Sequence, residues 1–145
     1  MIGTLLRERA IEPVVYEKSG MNIVLSREIR GRVSGQAKAR IPRDGGLGVI
    51  LRATIDKTGA TGYLVWLEVG TQTLRIIELE DGMTTLAWAS AKLTPGRTVT
   101  LRYELAHESV KASVGKVELA ADTPHWGEAT GVGFAALRCD VARIS

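Results

Sequence analysis

Between residues 98 and 105 apolar and polar side chains alternate one for one, Val99, Leu101, Tyr103 and Leu105 against Thr98, Thr100, Arg102 and Glu104. A period of two is the signature of a strand with one buried face. The pattern repeats in ESVKASV, with Val110, Ala112 and Val114 opposed to Ser109, Lys111 and Ser113, and again in GKVELA after a Gly115, Lys116 turn. Three short strands in succession predict a meander. Upstream, NIVLS, REIRGRVS, QAKARI, LGVILRATI, TGYLVWLEV, TQTLRIIELE and MTTLAWASA read as strands, and TGVGFAAL and RCDVARIS close the chain with two more. Asp44 with Gly45 and Gly46, the run 56–59, Glu80 to Gly82 and the run 93–96 are the turn signals between them.

Turns recurring every 8 to 14 residues, four prolines at turn or edge positions and no long run of 3.6 period predict an all-β chain. About a dozen short strands in one open sheet would leave apolar faces bare, so two packed antiparallel sheets are expected. RERAIEPVV is the only passage with helical character, and Pro13 limits it. The 145 residues, 45% hydrophobic and 24% charged, suit one globular domain spanning 1–145, with residues 1–11 as a separable N-terminal extension. There is no internal repeat and no low-complexity tract.

The succession GVILRAT, hairpin, GYLVWLEV, TQTLRIIELEDG, TTLAWAS, LTPGRTVTLRYELAHESVKASVGKVELAADTPHWGEATGVGFAAL and CDVARI resembles the concanavalin A-like lectin/glucanase sandwiches. It is most similar to the laminin-G-like modules attached to glycoside hydrolases, including the fructan-binding type. The likeness covers residues 46–145, and residues 20–45 by strand pattern only. It departs at Val114, Gly115 and Lys116, where many relatives carry Asn-Gly or Asp-Gly. The resemblance implies a jelly-roll sandwich and a glycan ligand. It also implies a binding-face arginine at Arg52, an aspartate loop near the ligand at Asp122, and in many relatives a structural calcium.

Sugar recognition needs a flat apolar surface for the C–H face of a ring and fixed polar groups for its hydroxyls. Trp66 shares a strand face with Leu64 and Glu68, opposite Tyr63, Val65, Leu67 and Val69. The face carrying Glu68 is expected outward, which leaves Trp66 two readings, core filler or stacking platform. Trp88, between Ala87 and Ala89, is expected in the core. The loop DTPHWG at 122–127 brings Asp122, His125 and Trp126 together, either as ligand contacts or as a turn whose indole caps the sandwich. Arg52 and Arg75 are expected as exposed guanidinium groups, serving a ligand or paired with Glu68 or Glu78.

Other chemistry finds less footing. Related glucanases use Glu-x-Asp-x-x-Glu on one strand. Here Glu78 and Glu80 share a face, but Met83 occupies the third position and the segment ends in a turn. His107 and His125 are isolated, and Cys139 has neither a disulfide partner nor a catalytic histidine beside it. Two histidines and one cysteine, far apart, make no zinc site, and Asp44, Glu17 and Asp140 are the only named donors for calcium. Arg27, Arg30, Arg32, Lys38, Arg40 and Arg43 form a basic stretch in a chain of net charge +3. With no aromatic residue between Met21 and Arg43, it reads as charge guarding a sheet edge rather than as a track for nucleic acid.

No stretch reaches the ~20 apolar residues of a membrane span, and MIGTLLRERA lacks the layout of a secretory signal. A soluble module, in one setting a fragment of an extracellular protein, is expected. The function expected is non-catalytic carbohydrate binding beside a linked hydrolase domain. The alternative is a structural or assembly sandwich that binds another protein or itself as a homo-oligomer.

Overall fold

The structure, a computed structural model, describes residues 14–18, 21–29, 33–56, 59–80, 82–106, 108–123, 130–139 and 143–145. Eleven strands account for most of them: β1 (Val14–Lys18), β2 (Met21–Ile29), β3 (Val33–Arg40), β4 (Gly46–Asp56), β5 (Gly59–Glu68), β6 (Thr73–Leu79), β7 (Met83–Ser90), β8 (Thr98–Leu105), β9 (Ser109–Val114), β10 (Val117–Asp122) and β11 (Thr130–Leu137). They form a seven-stranded sheet in the order β1-β2-β11-β4-β5-β6-β7 and a four-stranded sheet in the order β10-β9-β8-β3. All pairings are antiparallel, and the expected meander is the run β8, β9, β10. The two-sheet all-β sandwich is therefore present. No helix among the described residues is long and apolar enough to cross a membrane. The extension at 1–11 and the loop residues His125 and Trp126 lie outside the described residues.

The main core fills the space between the sheets. Leu47, Val49, Leu51, Tyr63, Val65 and Leu67 on the large sheet face Ala37, Leu101, Leu105, Val110 and Val114 on the small one. These are the alternate positions that strand periodicity assigns to one face. The other face of the large sheet differs from the expectation of a polar exterior. Ile23, Ile50, Leu64, Trp66, Ile77 and Ala135 form a second apolar cluster there, each 3% exposed or less. The cause is visible in the chain, because the runs 48–51 and 63–67 are apolar at every position except Gly48, and such a run belongs to a strand buried on both faces. Alternation sorted these residues correctly into two faces and wrongly made one of them an exterior.

Two further expectations are corrected. Val14 and Val15, inside the passage with helical character, belong to β1, which pairs with β2; with φ fixed and no N–H at Pro13, the strand begins after it. Within the closing strand expected at 138–145, the described residues form one bridge, Ala39 opposite Ile144, with the amide and carbonyl of Ser145 bonded to Lys38 at 2.9 Å each. This tail lies on the free edge of β3, where the exposed Lys38 and Arg40 supply the guarding charge read from the sequence. Arg27 departs from that reading, since β2 is an interior strand.

Candidate functional site

The sequence-derived residues separate into two groups at opposite ends of the sandwich. Arg52 and Asp122 lie at the end closed by the β8–β9 turn. Trp66, Glu68 and Arg75 lie toward the other end, on the outer face of the large sheet.

At the first end β4 carries a bulge. Its register against β5 shifts between Leu51 and Thr54, and Arg52 takes a left-handed φ of 54°. The bulge turns the side chain toward the β8–β9 turn, where Arg52 Nη2 donates a long bond of 3.5 Å to the Ala106 carbonyl while Nη1 is buried with no partner. Arg52 is thus half-buried and unpaired with either Glu68 or Glu78, contrary to the expected exposed guanidinium. Burial lowers its pKa, and the nearby Tyr63 phenol opposes that shift. Tyr63 is itself pushed above its ordinary value, first by burial and then by Glu78, to which it hydrogen-bonds, with Arg52 pulling the other way. Asp122 is exposed on β10 opposite Ser109. Beside it Thr123 is fully buried; its amide donates to the Glu108 carbonyl at 2.8 Å and its hydroxyl has no partner.

At the second end, register places Gly48, Trp66, Arg75 and Trp88 in one row across β4, β5, β6 and β7. Trp66 is 0% exposed, so the stacking platform expected of it does not exist. Its indole lies over Gly46, where an added Cβ would come within 2.5 Å of Nε1, and that glycine is the reason a tryptophan fits flat against the sheet. Its N–H donates to Glu68 Oε2 at 2.9 Å, so the buried ring positions a carboxylate. Trp88, expected in the core, is instead 61% exposed, because β7 is the edge of its sheet and a bulge between Ile76 and Ile77 resets its faces. The two indoles exchange the roles the sequence suggested.

Between them Arg75 lies across a bed of hydroxyls. Nε donates to Thr73 Oγ1 at 2.9 Å, Nη1 to Thr85 Oγ1 at 3.3 Å and Nη2 to Thr71 Oγ1 at 3.4 Å. Thr71 and Thr73 share a hydrogen bond of 2.7 Å. Three neutral acceptors orient the guanidinium without cancelling its charge. Sequence reasoning missed the threonines and Trp88. The readable signal was MTTLAWAS, which has no sustained apolar alternation and so suits an edge.

The outer face of the small sheet offers a concave surface, a trough of about 750 Å³. One cross-strand row along it carries Arg102, Ser113 and Glu118 and the next Ser34, Glu104 and Lys111. Its aromatic residue, Tyr103, belongs to the inner core and packs beneath Gly35, so the trough presents no ring for stacking. Glu78 is engaged by Tyr63, and the Glu80 amide donates to the Gly82 carbonyl within a turn. Among the described residues no three Asp, Glu, His or Cys side chains converge. Asp44 is taken up by the Gly45 amide and Arg138, while the Glu17 side chain and Asp140 lie outside the described residues.

Among solved structures the fold is similar to the carbohydrate-binding module CBM66 from Bacillus subtilis, with a TM-score of 0.71 and 12% identity over 89% of this chain and 86% of that one. It is similar to CG-16, a homodimeric agglutinin from chicken liver, at TM-score 0.54 and 17% identity over 81% and 92%. A functionally unknown protein from Saccharomyces cerevisiae matches at TM-score 0.52 and 13% identity over 86% and 82%. No family model and no curated protein matches the sequence. Identities this low speak to fold alone, and on that ground the chain shares the two-sheet antiparallel β-sandwich fold of these structures.

Proposed function

We propose that this chain is a non-catalytic carbohydrate-binding module that captures a glycan on the outer face of its large sheet, as an accessory to a linked glycoside hydrolase. The observation that carries the reading is an exposed indole, Trp88, next to a guanidinium, Arg75, whose partners among the described residues are threonine hydroxyls. Trp88 supplies the stacking surface for the C–H face of a sugar ring, and Arg75 donates to its hydroxyls. Glu68 stands two strand spacings from β7, about 10 Å, on the far side of Arg75 from the indole. One carboxylate oxygen accepts from Trp66, and the group retains acceptor sites for a sugar hydroxyl. The likeness of fold to a carbohydrate-binding module and an agglutinin supports the same reading.

Glycan-array screening followed by calorimetry on the strongest glycan tests it. Trp88→Ala is expected to lower affinity by roughly tenfold or more, the size of one stacking contact. Arg75→Gln is expected to weaken binding as well, with the thermal midpoint of both variants close to the parent. Full binding by Trp88→Ala would remove the site. Release of reducing sugar by the parent chain would remove the non-catalytic assignment.

A further inference from the structure

The two sheets have four edge strands, and one of them is unlike the rest. β3 carries exposed Lys38 and Arg40 and is bonded to the C-terminal tail. β10 carries exposed Glu118 and Asp122, and β1 has Glu17 and Lys18. β7, Met83–Ser90, has no charged residue and no proline, and Met83 and Trp88 are the two large apolar side chains exposed among the described residues. Edge strands of soluble chains are ordinarily protected by charge, proline, a bulge that twists them away or a covering segment. β7 has a single bulge near Leu86 and, among the described residues, none of the other devices.

Its open hydrogen-bonding groups can be identified. The Ala91 amide donates to the Gln72 carbonyl at 2.9 Å, so Ala89 and Ala87 also turn toward β6. By the alternation of an antiparallel ladder, Trp88 and Ser90 point their backbone N–H and C=O groups to the free edge. Among the described residues no strand pairs there.

We propose that β7 is a self-association edge, pairing antiparallel with β7 of a second copy of this chain about a two-fold axis. A charge-free strand is complementary to its own reversed copy, since no like charges meet across the axis. The eight residues give a contact about 27 Å long. A register centred between Leu86 and Ala87 sets Trp88 opposite the partner's Thr85, both on the outer face, so each indole stays open to solution. The pairing stands independently of glycan binding. Where both hold, the dimer presents two Trp88 surfaces side by side, which raises avidity for a multivalent glycan.

Sedimentation equilibrium and hydrogen exchange on the unmodified chain test the proposal. The expected result is a monomer–dimer equilibrium with appreciable dimer by roughly 0.1 mM, as suits a small interface. The Trp88 and Ser90 amides should gain protection as concentration rises. Thr84→Lys, which adds the missing charge, and Ser90→Pro, which removes an outward N–H without touching the β6 ladder, are each expected to weaken association at least roughly tenfold. A chain that stays monomeric at high concentration overturns the proposal. So does a dimer in which those two amides exchange as fast as in dilute solution, a readout that needs no variant to fold.

Discussion

Trp66 and Trp88 stand in one cross-strand row on one face of one sheet, with only Arg75 between them, yet the first is 0% and the second 61% exposed. The difference comes from the strands that carry them. β5 is interior, flanked by β4 and β6, and its neighbour Gly46 leaves a depression in which an indole can lie. β7 has one neighbouring strand among the described residues, so its indole has no comparable bed. One side-chain type on one face is thus sealed in the middle of the sheet and open to solution at its rim.

The widest separation should come from truncating each ring. Trp66→Ala removes a fully buried indole and leaves Glu68 without its donor, at a cost of about 3–5 kcal/mol. For a chain of this length that lowers the melting midpoint by on the order of 10 °C. Trp88→Ala should change stability by no more than about 0.5 kcal/mol, as at other exposed positions. Urea denaturation of the pair measures both; equal costs would erase the distinction drawn here.

The depression itself can be closed. Gly46→Ala places a methyl group 2.5–2.6 Å from three atoms of the Trp66 ring, so the indole must move, at about 1–3 kcal/mol for overpacking. A red shift in tryptophan emission would report the displaced ring. Unaltered stability and emission would show that Gly46 is not what seats it. At the rim, Thr73→Val strips Arg75 Nε of its shortest acceptor in a position only 3% exposed, costing about 1 kcal/mol. Because Thr85 and Thr71 still engage the guanidinium, glycan affinity should fall less than it does for Trp88→Ala.

Much of this architecture was legible in the sequence, and the failures share one cause. Period-two alternation located the meander β8, β9, β10 and assigned Tyr63, Val65 and Leu67 to the face opposite Leu64 and Trp66. Alternation carries no information about what lies beyond a face, so the second apolar cluster was read as exterior and Trp66 as a candidate platform. Trp88 was misplaced for the converse reason. Small neighbours at Ala87 and Ala89 fit a core equally well, and only the pairing order, which depends on contacts distant in sequence, reveals an edge. Arg52 was expected to be exposed because both a ligand and a cross-strand glutamate would need its guanidinium in reach; the bulge that turns it inward involves a register shift against β5 that no local pattern encodes. The bed of threonines under Arg75 likewise combines two separate stretches of chain, Thr71 with Thr73 and then Thr85.

The smallest effect concerns the far end of the sheet, where the second arginine sits among buried groups instead of hydroxyls. Tyr63 has a raised pKa in the folded chain, mainly from burial and then from Glu78. The unfolded chain releases its phenol proton first, near the ordinary value of about 10. The contribution of Tyr63 to stability is therefore complete below about pH 10 and is lost as the pH rises through the higher native value. Tyr63→Phe should shallow the alkaline fall in stability relative to the parent while leaving its shape below about pH 9 unchanged, apart from a constant offset for the lost bond to Glu78. Tyr16 and Tyr103 are present in both chains, so their titration cancels in the difference. Arg75 has no ionisable group among its hydrogen-bond partners, so Arg75→Gln should leave this alkaline profile as it was. Parallel alkaline curves for the parent and Tyr63→Phe would show that the buried end of the sheet is no more sensitive to base than its rim.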